Sequence, residues 1–146
     1  MLFRSDTVRD VLTREYPMAN WEPEKVIPTD KGYGGRCDLY GEGSIVDLKT
    51  RDALYRYIPA EKKTVKVPFT VEELALGAKL EPYDSELPQL GGYGLALGCF
   101  SLANLYLSRS DPRAYVFRRY EPEEVKNAIC NFEDLFRVFK RMRGLV

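Results

Sequence analysis

Residues 34–52 read GGRCDLYGEGSIVDLKTRD. Two short runs, 36–40 and 44–50, flank the turn Gly41-Glu42-Gly43, and this pattern predicts a pair of neighbouring strands. Along a strand, side chains two apart share a face, so Asp47 and Lys49 point one way while Val46 and Leu48 point the other. Asp38 stands on the incoming strand across the tight turn, where its carboxylate can converge on the same place. Like charges repel and desolvation disfavours ionised groups, so two acids and a lysine need something to compensate them. A divalent cation does so, because magnesium is held by one or two carboxylates together with substrate phosphate and water. Without a second signal, the same residues also read as a solvated hairpin with an Asp–Lys ion pair on one face.

Outward from this hairpin, residues 5–16 (SDTVRDVLTREY) begin with the N-cap candidates Ser5 and Asp6. They carry Val8, Val11 and Leu12 at helical spacing and stop before Pro17, which predicts a first helix. Residues 22–30 hold two prolines and read at best as a short edge strand. The stretch at about 52–84 reads as an elaboration. In it, Val65, Val67 and Phe69 alternate as a strand, and Thr70-Val71-Glu72-Glu73 resembles a capping box. With Lys62, Lys63 and Lys66 it suits a lid or a substrate flank.

Residues 85–103 place Leu90, Tyr93, Leu97 and Phe100 at spacings of three and four. That predicts a buried helix whose glycines let another backbone approach closely. Residues 103–109 and 114–120 alternate as two strands around the turn 110–113. Val125, Ile129, Phe132, Phe136 and Phe139 form the apolar stripe of a helix over 123–142, acidic early and basic late as the helix dipole favours. The order predicts a mixed α/β (α+β) fold: one domain over 1–146 with a central mixed β-sheet flanked by helices.

Composition narrows the chemistry. The 146 residues are 45% hydrophobic, enough for one core, and their 22 basic and 22 acidic groups cancel, so any nucleic-acid site must be a local patch. The chain contains no histidine, which excludes Ser-His-Asp, Cys-His and H-E-x-x-H chemistry. Three scattered cysteines without a C-x-x-C pair argue against a disulfide framework or a zinc site and for a reducing compartment. The charged N-terminus and the lack of an 18-residue apolar run lead to the expectation of a soluble chain without membrane association. The expected location is the cytoplasm, or the host cytoplasm if the chain is viral.

Gln89 and Tyr93 are four apart and share a helix face downstream of the hairpin. VDLKT together with QLGGYGLAL resembles the PD-(D/E)XK nuclease superfamily, in particular its RecB-type branch with D…D-x-K-T strands and a Q-x-x-x-Y helix. The resemblance covers residues 7–100 and implies a restriction-endonuclease-like α-β-β-β-α-β core. It implies that Asp38 and Asp47 bind Mg2+ or Mn2+, with the Leu48 carbonyl as a further ligand and Lys49 as the signature lysine. Gln89 and Tyr93 would position the DNA strand. Glu15 matches the upstream acid, with Glu22 and Glu24 as rival candidates. The branch's histidine ligand is absent here, and so are the four cysteines of its iron–sulfur relatives.

Arg36, Arg51, Arg56, Lys62 and Lys63 flank this region, with Tyr33, Tyr55 and Tyr57 interleaved. Basic groups neutralise phosphates and tyrosines stack on unpaired bases, so the expected partner is DNA, single- or double-stranded. Arg109, Arg113, Arg118 and Arg119 form a second cluster, for DNA or for solubility. The reading is a metal-dependent DNA nuclease of recombination, repair or viral and mobile DNA processing. A non-catalytic DNA-binding or assembly module of the same fold is its alternative, and a homo-oligomer stays open.

Overall fold

The computed structural model describes residues 5–27, 35–41, 43–80, 86–99 and 101–144. Tyr33, Glu42 and Phe100, all named above, lie outside the described residues. In chain order the elements are α1 (Ser5–Glu15), β1 (Glu22–Ile27), β2 (Gly35–Gly41), β3 (Ser44–Arg51), β4 (Ala53–Ile58) and β5 (Lys63–Pro68). They are followed by α2 (Val71–Ala75), α3 (Glu86–Leu97), β6 (Ser101–Ser108), β7 (Tyr115–Arg119) and α4 (Pro122–Met142).

A five-stranded sheet has the order β1-β2-β3-β6-β7, with the proline-bearing β1 at its edge as expected. β2 and β3 are antiparallel through Leu39↔Val46, Tyr40↔Ile45 and Gly41↔Ser44. β3 and β6 run parallel: Ser101 N donates to Gly43 O (3.4 Å) and, equally far along both strands, Arg109 N donates to Arg51 O (3.1 Å). A parallel neighbour needs a crossover connection. Here the chain between β3 and β6 supplies β4, β5, α2 and α3, and the sheet is mixed.

Contacts divide the chain into two compact units, and β3 and β6 each pass from one into the other. The first comprises Met1–Ala19, Leu48–Pro82 and Asn104–Phe117. Its core gathers Leu54, Val67, Phe69, Ala78, Tyr106 and Ala114. The stretch read as an elaboration therefore supplies packed core, with Leu54 and Phe69 fully buried. β4 was not anticipated. ALYRYI pairs along its whole length with β5, from Ala53↔Pro68 to Ile58↔Lys63. Its two tyrosines and arginine mask the alternation that marks β3.

A polar latch joins distant turns of this unit. Ser108 Oγ donates to Phe69 O (2.7 Å) and accepts from Asp111 N (3.0 Å). Asp111 in turn accepts from Val71 N (3.1 Å) and Arg113 N (3.0 Å). These two backbone donors, Arg113 first, hold the Asp111 carboxyl below its ordinary pKa. Thr70 Oγ1 caps α2 by accepting from Glu73 N (3.2 Å), as the capping pattern predicts.

The second unit comprises Asn20–Asp47, Tyr83–Ala103 and Arg118–Val146. Cys37, Ile45, Leu90, Cys99, Leu102, Tyr120 and Val125 form its core. The glycines of α3 act as expected: a Cβ on Gly91 would lie 2.7 Å from the Ala128 carbonyl carbon, so α3 and α4 touch backbone to backbone. The helix expected over 85–103 ends earlier, at Leu97. Gly98 takes φ 69° and Cys99 N bonds Gly94 O (2.8 Å), a Schellman ending that releases the chain into β6 at Ser101.

Candidate active site

β2 and β3 position the two acids. One residue beyond the Leu39↔Val46 pair, the strands carry Asp38 and Asp47. Asp47 is 7% exposed, unusual for a carboxylate, and Asp38 is half-buried. β1 is irregular beside Asp38: its pairing with β2 runs Glu22↔Tyr40 and Pro23↔Leu39, then resumes at Lys25↔Cys37, and Glu24 has φ 53°. The register is the same on both sides of this point, so Glu24 stands opposite Asp38 with no inserted residue.

Cys37 reports the negative field of the two acids. Burial pushes its thiol up to about 11, and the charges of Asp47 and Asp38 add to the rise. The folded state thus holds this proton more tightly than the unfolded chain. The resulting stability is complete below the ordinary thiol pKa and is lost as pH rises through about 11. Thiol reagents at pH 8 should therefore modify the exposed Cys130 rapidly and the buried Cys37 and Cys99 only after denaturation. Mass spectrometry of the labelled chain checks this, and fast labelling of Cys37 without denaturant would contradict the burial.

The Q-x-x-x-Y pair belongs to the same unit as both acids. Gln89 Nε2 donates to Tyr93 Oη (3.0 Å), so α3 does present both side chains on one face. The Tyr93 ring lies against the start of β2. A Cβ built on Gly35 would meet Tyr93 Cε1 at 3.2 Å and its Oη at 3.3 Å. Asp38 follows Gly35 by three residues, roughly 10 Å along a strand.

Leu48 and Lys49 continue β3 beyond Asp47, both half-buried, in the first unit. Lys49 is two residues from Asp47 on one strand, which turns both side chains to one face. Glu15 closes α1, its Oε1 3.9 Å from Arg14 Nε. Among the described residues no group of three or more His, Cys, Asp or Glu side chains is arranged to hold a metal ion. A two-carboxylate set with backbone carbonyls still suits magnesium or manganese, whose remaining positions go to water and phosphate. The donor chemistry of Asp38, Asp47 and the Leu48 carbonyl fits such an ion.

The basic residues sort by how firmly they are held. Among the described residues Arg36 makes an exposed ion pair with Glu24 (3.9 Å), a type worth about 0–1 kcal/mol that leaves it able to turn to another anion. Lys62 sits exposed in the β4–β5 turn and Lys63 exposed at the start of β5, its Nζ 3.5 Å from Glu61. Arg56, in contrast, is tied to Glu73 at 2.9 Å in a half-buried pair. Arg51 donates to the Thr50 carbonyl (2.8 Å) and lies over the Tyr106 ring, 5.4 Å from its centroid. Tyr55 exchanges two backbone bonds with Lys79 (2.7 and 2.8 Å).

In the second cluster, Arg109 bonds Asp52 (2.9 Å), Arg118 bonds Glu124 (3.2 Å) and Arg113 faces Glu72 (3.6 Å). These arginines knit the surface. The sequence reading passed over Asn104 and Tyr106, buried polar residues on β6 whose side chains are hydrogen-bonded, Asn104 Nδ2 to Tyr106 Oη (3.3 Å). Their signal is the alternation in ANLYLSR, which puts Asn and Tyr together on one face and Leu105 with Leu107 on the other.

No family model matches the chain, and no curated protein matches it. Among solved structures, it is similar to an alkaline exonuclease, LHK-Exo, from Laribacter hongkongensis. The identity is 16% and the TM-score 0.48, over 96% of this chain and 70% of that one. The structure of LHK-Exo in complex with dAMP matches with the same identity and TM-score, over 95% of this chain and 69% of that one. The structure of SSO0001 is 12% identical with a TM-score of 0.40, over 88% of this chain and 55% of that one.

Proposed function

We propose that the chain is a magnesium- or manganese-dependent DNA nuclease of the PD-(D/E)XK type, close to the RecB branch. The observation that carries this reading lies within the second unit: the hydrogen-bonded Gln89–Tyr93 pair packs on the start of the strand that bears Asp38. Asp38, Asp47 and the Leu48 carbonyl would hold the ion. When bound, it supplies Lewis-acid stabilisation of the scissile phosphate and a more acidic water. Lys49 offsets charge that builds on the phosphate oxygens and helps orient the attacking water. Gln89 and Tyr93 align the strand, with Arg36, Arg51, Tyr55, Lys62 and Lys63 on its backbone and bases. With no histidine in the chain, proton transfers would fall to Lys49, carboxylates, tyrosine and solvent water.

Incubation of purified protein with end-labelled single-stranded, linear duplex and closed circular DNA tests the reading, in magnesium, manganese or chelator. Cleavage that needs the metal is expected, and the circular substrate separates cutting within a strand from cutting at ends. DNA binding without cleavage in either metal would overturn the nuclease and leave the non-catalytic module. Loss of binding as well would remove both readings.

A further inference from the structure

We infer that the C-terminal half of α4 is a self-association surface, on which a second copy of this chain lays the same helix antiparallel. The Phe-rich stripe expected from the sequence is only part of the apolar surface of α4. Val125 and Ala128 are buried, and Phe132, Phe136 and Phe139 stack in series at 6.0 and 6.2 Å. A second stripe runs beside them in the open: Leu135 is 60% exposed, Val138 54%, Phe139 44% and Met142 82%. Leu135, Val138 and Met142 are three and four apart, the seam spacing of paired helices. Large apolar groups clustered in water mark interaction sites, whereas single ones need no account.

Charge selects the occupant. On a helix, Asp134 and Arg141 fall along the outer border of this stripe, seven residues apart. Asp134 lies 3.5 Å from Arg137 on its own helix in a pair 64% and 70% exposed, a weak tie that leaves its carboxylate accessible. In a parallel pairing the flanking Asp134 would face Phe139 of the other copy and meet no opposite charge. An antiparallel pairing about Val138 sets Leu135 of each copy within one residue, about 1.5 Å of helix rise, of the level of Met142 of the other, and Asp134 within one residue of Arg141. The surface is then self-complementary, as a twofold interface requires. An anionic lipid surface fits less well, because Asp134 borders the stripe.

Sedimentation velocity over a concentration series, with circular dichroism to confirm the fold, tests this. The wild-type chain should move from one-chain to two-chain mass as concentration rises. Val138→Glu places two glutamates together on the axis and should raise the dissociation constant about 30-fold or more. Asp134→Arg alone should weaken association, and Asp134→Arg with Arg141→Asp should restore it. A wild-type chain that stays monomeric at high concentration, or a dimer indifferent to Val138→Glu, would overturn the inference. Monomers that co-sediment with anionic vesicles would also overturn it, in favour of a lipid surface. The double reversal keeps the test decisive if Val138→Glu fails to fold.

Discussion

Asp47→Asn is expected to reduce metal-dependent DNA cleavage by about 10²–10³-fold while leaving the protein as stable as before, or more stable. The substitution keeps the size and shape of a side chain that is 7% exposed on β3. It removes one of the two negative charges that bear on the Cys37 thiol. A carboxylate kept for structure would cost stability when neutralised. One kept to hold a cation is repelled by its neighbour until the ion arrives, so its neutralisation relieves strain and ends activity. Lys49→Ala should give a similar loss of cleavage, with DNA affinity changed far less, since one charge in the patch is removed but the Gln89–Tyr93 pair, proposed to align the strand, stays. Cleavage rates and thermal melts of both variants check this. Full activity in either would remove the assignment of Asp47 and Lys49, and a large drop in melting temperature would recast them as structural.

The second large effect lies in packing. Gly91→Val should destabilise the fold by about 3 kcal/mol or more, and Gly91→Ala by about 1–2 kcal/mol. The first atom of either side chain would meet Ala128 backbone at 2.7 Å (C) and 2.8 Å (O). Backbone cannot rotate aside as a flexible side chain can, so the two helices must separate. In an open helix the sign would reverse, because Ala is better than Gly by about 1 kcal/mol there. Asn127→Ala, at an exposed site on α4, should change stability by no more than about 0.5 kcal/mol and serves as the comparison. Chemical denaturation of the three variants measures the differences. A Gly91→Ala variant more stable than the parent would show that α3 and α4 do not approach closely in solution.

Several features were legible because they are local. β3 could be read from its period of two, and α1 and α4 from their 3.6-residue stripes. The shared face of Gln89 and Tyr93 followed from a spacing of four, and their hydrogen bond realises it. The Thr70 cap likewise joins groups three residues apart. The glycine run of α3 announced a close approach without naming the partner, Ala128. β4 stayed hidden because its identity as a strand depends on pairing with β5 rather than on its own alternation.

By itself, then, the sequence determined most of the elements and their order, β4 excepted, and the spacing that puts an acid and a lysine on one face of one strand. It also determined that the chemistry would have to proceed without histidine. Tertiary structure alone decided which basic groups are occupied, holding Arg56 on Glu73 and Arg109 on Asp52 while leaving Lys62 at the exposed β4–β5 turn. It alone divided the apolar residues of α4 into a covered face and an exposed stripe. The reason is physical: periodicity follows from the geometry of one helix or strand, whereas burial and ion pairing depend on neighbours supplied by chain many residues away.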